Sequence, residues 1–167
     1  MRISSGGSEF VNILQTDTVT MRGADKQTED GLVFSGISYQ AAASSNYAQC
    51  QIYNPDGSGK TILVDAIDIS SSAAMICGIL HNDTALTTDV GDGVNYQLGS
   101  AAASAQLRAQ NSASVAGTDM GYFYSGENFR IRLDFSYPIE IAEEKGLVAW
   151  IGQVNVLNRT TFYFREV

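Results

Sequence analysis

The chain has 167 residues, of which 44% are hydrophobic, and it carries a net charge of −8 at pH 7. This length and composition predict one globular domain with a core of its own. The acidic excess argues against nucleic acid as a partner, because phosphate groups are bound by clustered Lys and Arg side chains, and no run reaches the roughly 18 apolar residues of a membrane span. Residues Met1–Ser8 lack the apolar segment of a secretion signal, so we expect synthesis in a cytosol and no contact with a membrane.

Residues 1–36 differ in composition from the rest of the chain. They are rich in Gly, Ser, Thr and Asp and are predicted to form an N-terminal arm with a short strand. The apolar patch of this arm contains Phe10, Val11, Ile13 and Leu14. Because an apolar patch on an arm has to be buried against something, these four side chains are the predicted contact with a neighbouring subunit.

Residues 37–167 are predicted to form one β-sandwich domain. Tyr47–Tyr53 and Thr61–Ile69 have the composition of strands, and the turn formers Asn54–Gly59 separate them. Further short strands are predicted at Ala73–Leu80, at Tyr96–Leu98, at Tyr122–Tyr124, and from Phe129, Leu147 and Thr161 onward. Short strands at this spacing, without alternating helices, predict an all-β, jelly-roll-like antiparallel β-sandwich.

Two predicted strands differ in how regularly apolar and polar residues alternate along them. Every odd position from Phe129 to Tyr137 is apolar or aromatic and every even position is polar or charged, which is typical of a half-buried strand. In Thr61–Ile69, by contrast, Asp68 has the parity of Val64 and Ala66. Either a β-bulge intervenes in that strand or both of its faces are partly covered.

The segment Gly99–Gly117 is dominated by Ala and Ser. This composition favours helix by propensity but supplies almost no apolar face, so we expect a long loop or edge strand that could include one helical turn. Small side chains allow a close approach to another chain, and a subunit contact and a solvated loop both remain open here.

Gly57-Ser58-Gly59-Lys60-Thr61 resembles the end of a phosphate-binding P-loop. The full motif needs Gly where this chain has Asn54, and it opens a helix, whereas the next residues of this chain are strand-like. A hairpin turn is therefore the preferred interpretation, and no cofactor is predicted.

Other chemically suggestive residues have simple interpretations as well. Asp89–Asn95 does not match the spacing of a calcium loop, so a solvated turn is favoured over a metal site. Glu140, Glu143 and Glu144 are candidates for an acid and base pair of glycoside hydrolysis, but Glu143–Gly146 is interpreted as a turn before an apolar strand. His81 has no acid or nucleophile near it in the sequence. No catalytic residue and no metal ligand is predicted, and we expect that the protein is not an enzyme.

The two cysteines, Cys50 and Cys77, lie inside apolar runs. A cysteine in such a run behaves as a small hydrophobic residue, so both are predicted to be buried thiols. Three aromatic residues follow one another at Tyr122, Phe123 and Tyr124. The two tyrosines are candidates for an interaction surface, either with protein or with a sugar, and packing of Phe123 in the core with both tyrosines at its rim is the alternative.

The run from Tyr47 to Ser72 resembles a recurrent segment of tailed-bacteriophage virion proteins. In those proteins an Asn-Pro-x-Gly-Ser-Gly turn joins two strands of a β-sandwich, and here that turn is Asn54-Pro55-Asp56-Gly57-Ser58-Gly59. The end of the chain, with Glu144–Leu147 leading to Asn158–Glu166, is similar to their terminal strand pair. The two segments cover less than half of the chain, and no functional residue is carried over.

This resemblance implies a structural protein of a phage particle, made in the bacterial cytoplasm and located in the virion. We expect a decoration or cement protein, assembled as a homotrimer, that binds the major capsid protein on the outside of the head and stabilises the lattice. Acidic charge fits an exterior position better than one facing DNA.

Two other functions remain open. The first is a tail- or fibre-associated module that recognises a host carbohydrate through Tyr122 and Tyr124. The second is a hydrolase that uses loop carboxylates, which the lack of a clustered acid, base and nucleophile disfavours.

Overall fold

The computed structural model describes residues 32–73, 75–125 and 130–167. Within these ranges the chain forms eleven strands and no helix. The strands are β1 Val33–Gln40, β2 Tyr47–Asn54, β3 Ile62–Ser71, β4 Met75–Asn82, β5 Thr88–Asp92, β6 Val94–Asn95, β7 Gln106–Ser112, β8 Thr118–Ser125, β9 Arg130–Ile141, β10 Lys145–Ile151 and β11 Asn158–Glu166.

The strands form two antiparallel sheets that pack face to face. Sheet A has five strands in the order β6-β1-β11-β3-β9, and sheet B has six in the order β5-β7-β2-β10-β4-β8. Apolar side chains from both sheets fill the space between them, including the stacked rings of Phe34 and Phe164, whose centroids are 5.5 Å apart. The predicted all-β antiparallel sandwich is confirmed.

The strand pairing is nested. β1 pairs with β11, β2 with β10, β3 with β9 and β4 with β8. The chain is therefore arranged as one long hairpin that is folded over into two sheets. The segment between β4 and β8 contributes three further strands at the sheet edges. β6 pairs with β1 in sheet A, whereas β7 pairs with β2 in sheet B and β5 lies beyond β7.

A β-bulge in β3 resolves the parity of Asp68. The pairing of β3 with β9 shifts register between Val64 and Ala66. Even-numbered residues such as Val64 face the core before the bulge, and odd-numbered residues such as Ile67 face it afterwards. Asp68 is thereby placed on the outer face of sheet A. The bulge, one of the two predicted alternatives, is present.

The boundary of the arm differs from the prediction. β1 begins at Val33 and pairs along its whole length with β11, so residues 33–36 belong to the sandwich. Residues 1–31, with Phe10, Val11, Ile13 and Leu14, lie outside the described residues. A second difference is that Tyr96–Leu98 is a turn, and the strand at this place is Val94–Asn95.

The Ala- and Ser-rich segment contains an internal strand. β7 pairs with β2 on one side and with β5 on the other, so the prediction of a loop or edge strand is wrong for Gln106–Ser112. Ala105 and Ala109 are buried, and a Cβ added at Gly36 of sheet A would overlap the Leu107 side chain. Small residues here let the two sheets approach closely.

Both cysteines are buried, as predicted. The Cys50 thiol donates to the carbonyl oxygen of Asn158 at 3.5 Å. Burial raises the pKa of Cys50 to about 11, despite opposing hydrogen bonds from Ser38 and Thr160. This thiol is therefore an inert core group rather than a nucleophile.

Candidate functional site

Part of the outer face of sheet B is covered by its own chain. Because β4 and β5 lie far apart in sheet B, and so do β7 and β8, the connections 83–87 and 113–117 span several strands, and their hydrogen bonds to Gln51 and Gln49 place them on this face. We refer to them as the two crossing loops. The side chains of Gln49 and Gln51 point outward from β2 beneath them and are fully buried.

These two glutamines hold the crossing loops in place. Gln51 donates to the carbonyl oxygen of Thr84 at 3.0 Å and accepts the amide hydrogen of Leu86 at 2.8 Å. Gln49 donates to the carbonyl oxygen of Ser114 at 3.2 Å. Each loop thus has at least one backbone group paired with a side chain of the sheet, as buried polar groups require.

An apolar layer lies beneath the loops. Val148 and Leu80 are neighbours across β10 and β4, and both are buried although they point away from the main core. Leu86 of the first crossing loop is buried as well. The sandwich therefore has a second, smaller hydrophobic layer outside sheet B.

Beside this layer lies a group of three aromatic rings. The ring centroid of Trp150 lies 5.7 Å from that of Tyr47, with an interplanar angle of 86°. It lies 6.2 Å from the ring centroid of Tyr122, with an interplanar angle of 83°. Gly78 makes this arrangement possible, because a Cβ at that position would overlap the indole nitrogen of Trp150. The indole therefore lies directly against strand β4, with its Nε1 atom over Gly78.

These rings line a cleft of about 310 Å³, together with Leu80, Val115, Gly117 and Asp119. We call it the aromatic cleft. Gly117 has φ of 141°, and a Cβ there would collide with the carbonyl oxygen of His81, so glycine is needed where the second crossing loop forms the cleft wall.

The polar groups of the aromatic cleft come from its rim. The Tyr122 hydroxyl donates to the Asp119 carboxylate, and this hydrogen bond is the main cause that raises the pKa of Tyr122. The indole Nε1 of Trp150 has no hydrogen-bond acceptor among the described residues. The cleft thus combines apolar ring surface with one carboxylate, while the indole N–H is buried against β4.

The structure places both predicted tyrosines on the outer face of β8. Tyr122 is 54% exposed at the aromatic cleft, whereas Tyr124 is 76% exposed and lies beside Ile76, its pairing partner on β4. Phe123 points inward and packs against the core. The sequence interpretation missed Tyr47 and Trp150, although the single tryptophan of the chain was a signal.

The outer face of sheet A has a different character. Asp68 is only 4% exposed and pairs with Arg130 and with Arg132, the latter at 3.6 Å, while Tyr163 donates a hydrogen bond to it at 2.9 Å. Burial tends to raise the pKa of Asp68, but hydrogen bonds from Arg130 and Tyr163 and the nearby arginine charges outweigh burial and lower it. We call these four residues the Asp68 cluster.

The P-loop-like segment is a turn, as predicted, but the prediction of a hairpin is wrong, because the turn connects β2 of sheet B to β3 of sheet A and these two strands do not pair. Gly57 and Gly59 have φ of 72° and 64°, and the Glu143 carboxylate accepts the Gly59 amide hydrogen at 2.6 Å. Ser58 donates to the same oxygen at 3.3 Å. The anion at this turn is therefore a side chain of the protein itself.

The remaining polar candidates lie apart. His81 pairs with Asp83 at 3.1 Å, Asp89 lies near Arg108 at 3.9 Å, and Glu143 is engaged at the turn. Among the residues that the structure describes, no group of three or more His, Cys, Asp or Glu side chains is placed to hold a metal ion.

Comparison of the chain with protein-family models, curated proteins and solved structures gives no match. In the described part of the chain, no helix has the length and hydropathy that a membrane span requires.

Proposed function

We propose that this chain is a structural, non-enzymatic protein of a phage particle, and that it decorates or cements the outside of the head lattice. The observation that carries the proposal is the nested pairing of β1–β4 with β8–β11. We interpret this rolled hairpin as a jelly roll, an architecture that viral capsid proteins use. The resemblance of Tyr47–Ser72 to phage virion segments supports the same assignment.

The outer face of sheet A is the proposed contact with the major capsid protein. Crossing loops cover much of the corresponding face of sheet B, whereas the sheet A face carries Ile37 and Tyr39 at 47% and 51% exposure. Arg130, Arg132 and Arg159 are exposed on this face as well. Aromatic and arginine side chains are enriched where proteins meet, and a lattice-specific contact stabilises the assembled state by mass action.

Cryo-electron microscopy of purified virions tests the proposal. Density that repeats over the head at capsomer junctions is the expected result, and density confined to the tail would contradict it. Native mass spectrometry of the isolated protein tests the proposed homotrimer.

The arm is the proposed element of subunit exchange. Deleting residues 1–31, which leaves β1 complete, should weaken oligomerisation or capsid binding, because it removes Phe10, Val11, Ile13 and Leu14. A matched variant with these four residues changed to Ser separates the apolar contacts from the length of the arm. Unchanged behaviour of both variants in both assays would reject this role.

The second candidate is a tail- or fibre-associated module that binds a host carbohydrate. Its support is the exposure of Tyr122, Tyr124 and Ile76 on sheet B, and jelly rolls also occur as lectin domains. Reduced phage adsorption by Tyr124→Ala virions would favour it. Normal adsorption together with a negative glycan array would remove it.

A further inference from the structure

We propose that the aromatic cleft binds a quaternary or methylated ammonium group. The first reason is geometry. Tyr47 and Tyr122 each stand nearly perpendicular to the indole of Trp150, at 86° and 83°, so the rings wall the cleft on more than one side. The negative faces of aromatic rings attract cations, and such aromatic cages are a recurring site for methylated ammonium ions.

The second reason is charge. Asp119 is the one charged side chain among the residues that line the cleft, and its carboxylate stays at the rim because the Tyr122 hydroxyl donates to it. A carboxylate beside three rings favours a cation over an anion or a neutral ligand. The net charge of −8 acts in the same direction.

The third reason is preorganisation and size. Gly78 lets the indole lie against β4 and Gly117 shapes the loop wall, while Gln49 fixes that loop through Ser114. The volume of about 310 Å³ lies at the small end of the range for small-molecule sites. A compact head group such as trimethylammonium therefore suits the cleft better than an extended chain.

Trp150 is the only tryptophan of the chain, so its fluorescence reports directly on the cleft. Titration of the full chain with choline chloride, at constant ionic strength, should give a saturable change in emission. The neutral isostere 3,3-dimethylbutan-1-ol, which replaces the charged nitrogen by carbon, should bind at least tenfold more weakly.

Variants separate charge from shape. Asp119→Asn removes the charge but keeps the shape of the side chain, and it should weaken choline binding at least tenfold. The control Asp92→Asn changes an exposed carboxylate on β5 and should leave the affinity for choline unchanged. Tyr122→Phe keeps the ring but removes the hydroxyl that holds the Asp119 carboxylate, so its affinity for choline should lie between that of the wild type and that of Asp119→Asn. Circular dichroism of each variant confirms that it is folded.

Three outcomes would overturn the inference. They are the absence of a saturable change with choline, equal binding of the neutral isostere, and unchanged affinity of Asp119→Asn. A response to neutral hexoses but not to choline would also overturn it and would support the carbohydrate-binding candidate. The inference does not depend on where the protein lies in a particle, so cryo-electron microscopy tests the proposed function separately.

Discussion

The outer faces of the two sheets differ, although both are built from strands of alternating residues. On sheet A the outward side chains form an exposed charged surface around the Asp68 cluster. On sheet B the outward residues Gln49, Gln51 and Val148 are fully buried, because the two crossing loops run over them. The same strand pattern thus yields a surface on one sheet and a second hydrophobic layer on the other.

This difference shows that the connections, rather than the strands, determine which outward residues are buried. An excursion of three strands between β4 and β8 brings the chain twice across sheet B. Each crossing requires polar side chains beneath it, since buried backbone groups need partners. The aromatic cleft lies beside the second crossing and owes one of its walls to that loop.

The largest expected effect comes from removing the anchor of the first crossing loop. Gln51→Ala leaves the buried amide of Leu86 and the carbonyl of Thr84 without their partner, which should lower the free energy of unfolding by about 2–4 kcal/mol. Urea denaturation measures this loss. Gln40→Ala, at a half-buried position on β1, should change stability by less than about 0.5 kcal/mol. Equal effects of the two variants would show that the loop does not depend on Gln51.

An intermediate effect is expected at the floor of the aromatic cleft. Gly78→Ala places a Cβ against the indole nitrogen of Trp150, and such overpacking costs about 1–3 kcal/mol. The displaced indole should also shift the fluorescence emission maximum. Gly121→Ala on neighbouring β8 meets only the ring edge of Phe123 at 3.3 Å and serves as the control. An unchanged emission maximum in Gly78→Ala would contradict the described position of Trp150.

The smallest effect is expected on sheet A. Asp68→Asn removes the charge that pairs with Arg130 and Arg132. Because both arginines are exposed to solvent, the free energy of unfolding should fall by only about 1–2 kcal/mol. The pKa of Asp68 is lowered from 3.8 in the folded protein, so its contribution is present above pH 3.8 and is lost as the pH falls below that value.

Urea midpoints between pH 7 and about pH 2.5 check this prediction, because this range extends below the ordinary pKa of 3.8, where the contribution of Asp68 begins to be lost. The wild-type protein should lose stability more steeply below about pH 4 than Asp68→Asn does, because the variant lacks the titrating group. Asp134→Asn, which removes an exposed carboxylate beside Arg132, is the matched control. Parallel pH profiles of wild type and Asp68→Asn would show that the Asp68 cluster does not contribute to acid sensitivity.

Local patterns in the sequence predicted the features that depend on neighbouring residues. The turn Asn54–Gly59, the bulge implied by Asp68 and the burial of Cys50 and Cys77 all result from short-range composition and parity. The same reasoning failed for Gln106–Ser112, because small residues carry little periodic signal and only their pairing with β2 and β5 identifies them as a strand.

The β character of the chain and its antiparallel sandwich could be predicted from the residues alone, since strand and turn propensities act between residues close in the chain. The nested pairing, the burial of Gln49 and Gln51, and the meeting of Tyr47, Tyr122 and Trp150 became visible only in the folded domain. The three aromatic residues lie on three strands that are distant in the sequence. Their proximity results from strand order and loop crossings, which are set by the packing of the whole domain.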